Sequence, residues 1–139
     1  MSKEILMPKT LTLTRESDRD TIYIPIHVFD VGYTKSGELA AELDTGNDHT
    51  CIRQNVFDAI GLVADGRMIQ VNGVTGGAAG RTARISIGIE TANGHKIKIS
   101  NHEVVVLPTM TCNVLFGRDM LEFFDVAITR GGTTVLTFD

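Results

Sequence analysis

Apolar and polar residues alternate along several short stretches of this chain, and that alternation predicts strands. Thr21 to Phe29, TIYIPIHVF, changes character at every second position and is rich in β-branched and aromatic residues. Arg84 to Glu90, RISIGIE, repeats the pattern, as does His95 to Ile99, and Asn93-Gly94 between those two runs is a two-residue hairpin signal. Glu38 to Leu43 and Met68 to Val71 predict two more short strands, and Val31 to Ser36 a turn between strands. Val104 to Leu107 is apolar without interruption, which predicts a strand buried on both faces. Val126 to Ile128 and Thr133 to Phe138 flank Arg130-Gly131-Gly132 and predict a closing hairpin.

Helical signals are few. Asn55 to Ile60 predicts a helical turn stopped by Gly61. Asp119, Leu121, Glu122 and Phe124 predict a short helix with one apolar side, following Asn113 to Gly117. Residues 1–19 mix polar and apolar positions and carry Arg15, Glu16, Asp18 and Arg19, reading as an arm or a first strand with a loose loop. Many short strands and tight turns make the expected class all-β.

Composition narrows the function classes. The 139 residues predict one domain, and 42% hydrophobic with 22% charged residues is ordinary for a globular chain. The net charge is −4 without a Lys or Arg run, which speaks against nucleic acid or an anionic membrane surface as partner. Cys51 and Cys112 are the two cysteines and form no CxxC pair. With no apolar leader in MSKEILMPKT and no stretch of about 18 apolar residues, the expected location is the reducing cytoplasm. His49, Cys51, His95, His102 and Cys112 match no structural zinc spacing, so no metal and no cofactor are expected, and the cysteines read as small core residues.

The chemistry-bearing motif is Asp44-Thr45-Gly46, placed between a short apolar-ended strand and a polar turn. Alone, the tripeptide is a weak signal and reads first as a turn in which Asp caps backbone N–H groups. Three further features accompany it. Residues 73–80, GVTGGAAG, hold four glycines in eight positions and read either as a mobile hairpin or as a surface loop; they lack the Lys-Ser or Lys-Thr of a phosphate loop. Leu115-Phe116-Gly117 precedes Arg118-Asp119 and the short helix, and the closing hairpin ends the chain.

In this order and spacing, residues 20–139 resemble retropepsin-like aspartic proteases, the single-domain relatives of pepsin. The resemblance implies a closed β-barrel-like acid-protease fold with one short helix near the C-terminus, residues 1–19 remaining an arm of unplaced role. It implies that Asp44 is the catalytic aspartate, that Thr45 reaches across to a second subunit, and that Gly46 lets substrate backbone approach. Asn47 and Asp48 would border the substrate, and Gly73, Val74, Thr75, Gly76 and Gly77 would form a flap over it. Leu115, Phe116 and Gly117 would line and support the site, and Arg118 would pair with Asp48. A single Asp-Thr-Gly supplies one carboxylate, so the implied enzyme is a homodimer acting on a peptide or protein substrate.

Two departures stand out. Asn47 occupies a position where the family has Ser, Thr or Ala, and an amide there has the chemistry to hydrogen-bond the catalytic carboxylate. The glycine segment also has no tyrosine, unlike the flap of pepsin-like enzymes. Thr133 to Phe138 either pairs with its mate in an intersubunit sheet or forms an intrachain hairpin. The alternative function is a catalytically silent protease-fold module that binds peptide or dimerises.

Overall fold

The computed structural model describes residues 9–14, 22–44, 46–73, 76–90, 94, 96–128 and 133–138. Ten strands and two short helices follow in the order β1 (Lys9–Thr14), β2 (Tyr23–Asp30), β3 (Ser36–Leu43), β4 (Cys51–Arg53), α1 (Gln54–Ile60), β5 (Met68–Gly73), β6 (Gly76–Glu90), β7 (Lys96–Leu107), β8 (Val114–Phe116), α2 (Arg118–Leu121), β9 (Asp125–Ile128) and β10 (Thr133–Phe138). Seven strands pair in the order β2-β3-β8-β4-β7-β6-β5, and β2 also pairs with β6. That last pairing closes β2, β3, β8, β4, β7 and β6 into a six-stranded barrel, as the all-β reading expects. Closure leaves these strands without the long open edges that invite aggregation.

Alternation becomes burial where the sequence predicted it. In β2, Ile24, Ile26 and Val28 are buried while Tyr23 and Pro25 face out. Pro25 is tolerated because β2 pairs with β6 only through residues 27–30, so no ladder bond is demanded of its missing N–H on that side. Val104, Val105, Val106 and Leu107 are all buried, as expected of a strand covered on both faces. Val104 and Val106 join the main core with Ile52, Phe57, Ile85 and Phe116, whereas Val105 and Leu107 pack with Cys51 and Val71 in a second cluster. Gly61 ends α1 in the left-handed region, at φ 88°, where a side chain would be strained.

One expectation changes. The predicted strands at His95–Ile99 and Val104–Leu107 are parts of a single twelve-residue strand, β7. A bulge explains why the sequence shows two runs. Ile85 pairs with His102 and Ile87 with Ile99, so Ser86 alone stands opposite Ser100 and Asn101. Asn101 takes up the extra residue at φ 54°, a conformation asparagine tolerates. The bulge also inverts the inside–outside phase. His102 thereby shares the inward register of Ile99 and Val104, where uninterrupted alternation would have turned it out.

A second sheet of order β1-β10-β9 packs beside the barrel. Residues 9–14, within the segment read as an arm, pair with β10 in register and bury Leu11 and Leu13 in the main core beside Leu136. β10 is therefore flanked on both edges by strands of its own chain, which decides the alternatives for Thr133–Phe138 in favour of intrachain pairing.

Candidate active site

Asp44 leaves the end of β3, which runs parallel to β8 with Leu43 opposite Phe116. The Asp44 N–H donates to Phe116 O at 3.0 Å, so the ladder holds the backbone of Asp44 itself. Gly46 N–H donates to Asp44 Oδ1 at 2.9 Å, and Asn47 N–H to Asp44 O at 3.4 Å. The carboxylate sits half-buried at the head of a tight turn, one oxygen oriented by a backbone amide. A β-carbon at Gly46 would lie 3.2 Å from that oxygen, so glycine there keeps the carboxylate clear. Thr45 lies outside the described residues, as do Val74 and Thr75.

Opposite this turn runs the segment from Phe116 to Asp119, and the two are sewn together. Gly117 N–H donates to Thr50 Oγ1 (3.2 Å), Arg118 N–H to Asn47 O (2.7 Å) and Asp119 N–H to Asp48 O (3.4 Å). The Arg118 guanidinium pairs with the Asp48 carboxylate, as the resemblance implied, through exposed side chains. Such a pair is worth at most about 1 kcal/mol in water, so the backbone bonds carry the join. Phe116 is fully buried and Gly117 is packed against the backbone of Asn47 and His49, so both act as support; Leu115 is half-buried.

Asn47 does not turn toward Asp44. It is buried, its Oδ1 accepts the His49 N–H at 3.3 Å, and its Nδ2 faces Cys51 Sγ at 3.9 Å. The amide thus braces the turn from beneath, closing an Asx-type loop. Cys51 Sγ–H points to His49 O at 3.5 Å. Burial pushes this thiol up to about 11, opposed by Asn47 and reinforced by the charges of Asp119 and Asp44. Cys112 is only half-buried rather than a core residue, and burial with Glu42 beside it pushes its thiol up to about 12.

The glycine segment is a paired hairpin rather than an open loop. β5 and β6 are antiparallel with Gly73 opposite Gly76 and Asn72 opposite Gly77. Gly80 lies deeper, where a β-carbon would meet Val106 O at 2.3 Å, so that glycine serves close packing of β6 on β7.

Sequence reading missed a partly buried polar chain beneath the turn. Thr50 Oγ1 donates to Asp119 Oδ1 at 2.8 Å, and His102 Nε2 lies 2.7 Å from Asp119 Oδ2. These residues are 69 and 17 positions from Asp119, and no local pattern marks them. Burial raises the Asp119 carboxyl, but the hydrogen bonds from His102 and Thr50 outweigh it and hold the group below its ordinary value. The unfolded chain therefore binds this proton more readily. The resulting stabilisation is fully present above the ordinary carboxylate value, about 4, and is lost as pH falls through the native one. Urea melts of wild type and Asp119→Asn should differ most near pH 6 and converge as pH falls below about 4.

The comparisons with known proteins agree with this geometry. The sequence model of the family described as "gag-polyprotein putative aspartyl protease" matches residues 35–122, from the turn before β3 through α2. The chain belongs to that aspartyl protease family. The match contains both Asp44 and the supporting 116–119 segment. No curated protein matches the chain in sequence. Among solved structures, a retropepsin-like aspartic protease from Rickettsia conorii superimposes with a TM-score of 0.70 at 16% identity, over 99% of this chain and 98% of that one. Basic 7S globulin from soybean gives 0.62 at 8% identity, covering 94% of this chain and 50% of the globulin. EIAV protease, complexed with the inhibitor HBY-793, gives 0.49 at 19% identity over 78% and 91%. The Rickettsia and soybean likenesses establish a shared fold, and with the family match they make this a retropepsin-like aspartic protease chain.

Proposed function

We propose that this aspartyl protease family chain is one subunit of a homodimeric endopeptidase, in which two copies of Asp44 hydrolyse a peptide bond through an activated water. The observation that carries the reading is the setting of Asp44. A half-buried carboxylate with one oxygen held by Gly46 N–H stands on a turn braced by Phe116, Gly117 and Arg118. A carboxylate needs that degree of fixation to serve as a general base. The chain has one Asp-Thr-Gly, so the second carboxylate comes from a twofold mate, with the axis passing between the two copies of Asp44. Like charges so close cannot both ionise; one group acts as acid and the other as base.

The β5–β6 hairpin suits the part of flap, closing over an extended peptide and excluding bulk water. Asp48, exposed beside the turn, is available to substrate backbone, with Asn47 acting from beneath. Because β10 is already paired on both edges, an intersubunit sheet that extends the β1-β10-β9 sheet grows from β1 or β9. The two free cysteines suit a reducing, cytoplasmic setting.

The test is cleavage of a diverse peptide library from pH 3 to 8, read by mass spectrometry. Bell-shaped, chelator-insensitive cleavage within extended apolar segments is the expected result. Binding of peptides without any cleavage by a folded dimer would assign the chain to the silent peptide-binding reading instead.

A further inference from the structure

The Thr50–Asp119–His102 chain has a direction that its chemistry dictates. Asp119, held ionised at neutral pH by its partners, can only accept. His102 Nε2 must therefore carry a proton and donate it to Oδ2, and the Thr50 hydroxyl must donate to Oδ1. The Thr50 oxygen is then left to accept the Gly117 N–H. Thr50 O in turn accepts the Val105 N–H at 3.0 Å. Each link is buried or half-buried, and together they join β7, α2 and the end of the loop that begins at Asp44.

Two further observations connect this chain to the site. The β7 bulge turns His102 inward, so a local irregularity of the sheet exists where the histidine needs it. Cys51 lies beneath the same turn, its Sγ 3.9 Å from Asn47 Nδ2 and 3.5 Å from His49 O, so the floor of the 44–50 loop is packed from the side of this chain.

We propose that His102 is a positioning residue for Asp44, acting through Asp119 and Thr50, and that its protonation couples solvent pH to the geometry of the 44–50 loop. This rests on the endopeptidase reading for its catalytic consequence, though not for the coupling itself. Histidine is the side chain that changes charge within about pH 5–8. In the neutral form, Nε2–H still donates, so the clamp persists; in the charged form the bond to Asp119 becomes an ion pair and tightens.

Other charges near His102 are few. Glu103 follows it on β7 and pairs with Arg67 at 3.6 Å. Arg84 on β6 donates to Asn101 O at 2.9 Å, and Lys98 lies along the same surface groove, which Phe123 also lines. The Phe123 ring stands edge-on to the imidazole at 6.0 Å. Among the described residues, Asp119 is the charged group recorded at hydrogen-bond distance from the imidazole. The groove gives solvent protons access to the ring.

The experiment is an NMR pH titration of the full chain from pH 5 to 8, following the His102 imidazole and the amides of Gly46 and Gly117, beside His102→Gln and His102→Ala. In wild type the two amides should shift with the midpoint of the His102 ring itself. In His102→Gln, which keeps a donor and loses the charge, that inflection should vanish. On cleaved peptide, His102→Ala should lower kcat about tenfold with little change in KM, the glutamine variant recovering most of the loss and showing a pH profile without the His102 inflection. Amides that stay flat while the ring titrates would overturn the proposal, as would a glutamine variant that fails to recover kcat. Amide coupling in a chain that cleaves nothing would support the clamp and reject the endopeptidase reading instead.

Discussion

Asp44→Asn is expected to lower kcat/KM by at least about a thousandfold while leaving the fold intact. Asparagine is isosteric with aspartate and keeps an oxygen for the Gly46 N–H that now bonds Oδ1 at 2.9 Å. The backbone bond from Asp44 N–H to Phe116 O does not involve the side chain at all. Stability should therefore move by no more than about 0.5 kcal/mol, the range of substitutions that break no buried partner. An amide is not basic enough to take a proton from a water nucleophile, so the proposed general-base role disappears with the charge. The comparison calls for kinetics and a urea melt on the same preparation, since lost activity with an unchanged melt separates chemistry from folding. A variant that retains cleavage would move the catalytic role away from Asp44.

Gly117→Ala should damage stability and activity together, costing at least about 3 kcal/mol. The backbone there, at φ −86°, is open to any residue, so the demand is for space and not for conformation. An added β-carbon would lie 2.6 Å from His49 C and O and 2.8 Å from Asn47 O. Those are backbone atoms of the very turn that carries Asp44, and they have no rotamer by which to retreat. The methyl group must therefore pry the 44–50 loop from the 116–119 segment, stretching the bonds from Gly117 N–H to Thr50 Oγ1 and from Arg118 N–H to Asn47 O. Equilibrium unfolding should show the loss of stability, and cleavage by the remaining folded protein should also fall. A variant as stable and active as wild type would mean that the two segments are not held as tightly as their geometry indicates.

How far the sequence could be read follows from which interactions are local. The strands of β2, β6 and the last third of β7 announce themselves because one-residue alternation or unbroken apolarity is a direct image of burial. The stop of α1 at Gly61 is equally local. The parallel pairings of β3 with β8 and β4 with β7 are not, since three-residue contacts between segments tens of positions apart leave no periodic trace. β7 read as two segments because the bulge at Ser100 and Asn101 breaks the phase of the pattern.

At the site, the tight turn from Asp44 to Gly46 was legible from its short motif, and the Asp48–Arg118 pair from the resemblance alone. Asn47 was misplaced for a physical reason: an amide beside a carboxylate has two ways to satisfy itself, and here the His49 N–H and the Cys51 sulfur take it inward. Thr50, His102 and Asp119 are individually ordinary residues, and only the crossing of β4, β7 and α2 makes them a unit.

The central claim, that one active centre is shared by two chains, is tested most directly by subunit mixing. Wild type and Asp44→Asn protein are combined at constant total concentration, allowed to exchange protomers, and assayed on a cleavable peptide. If each centre needs an aspartate from both subunits, activity falls with the square of the wild-type fraction, to roughly a quarter in an equal mixture. A strictly linear fall, to about half, would show that each chain works by itself and would contradict the shared dyad.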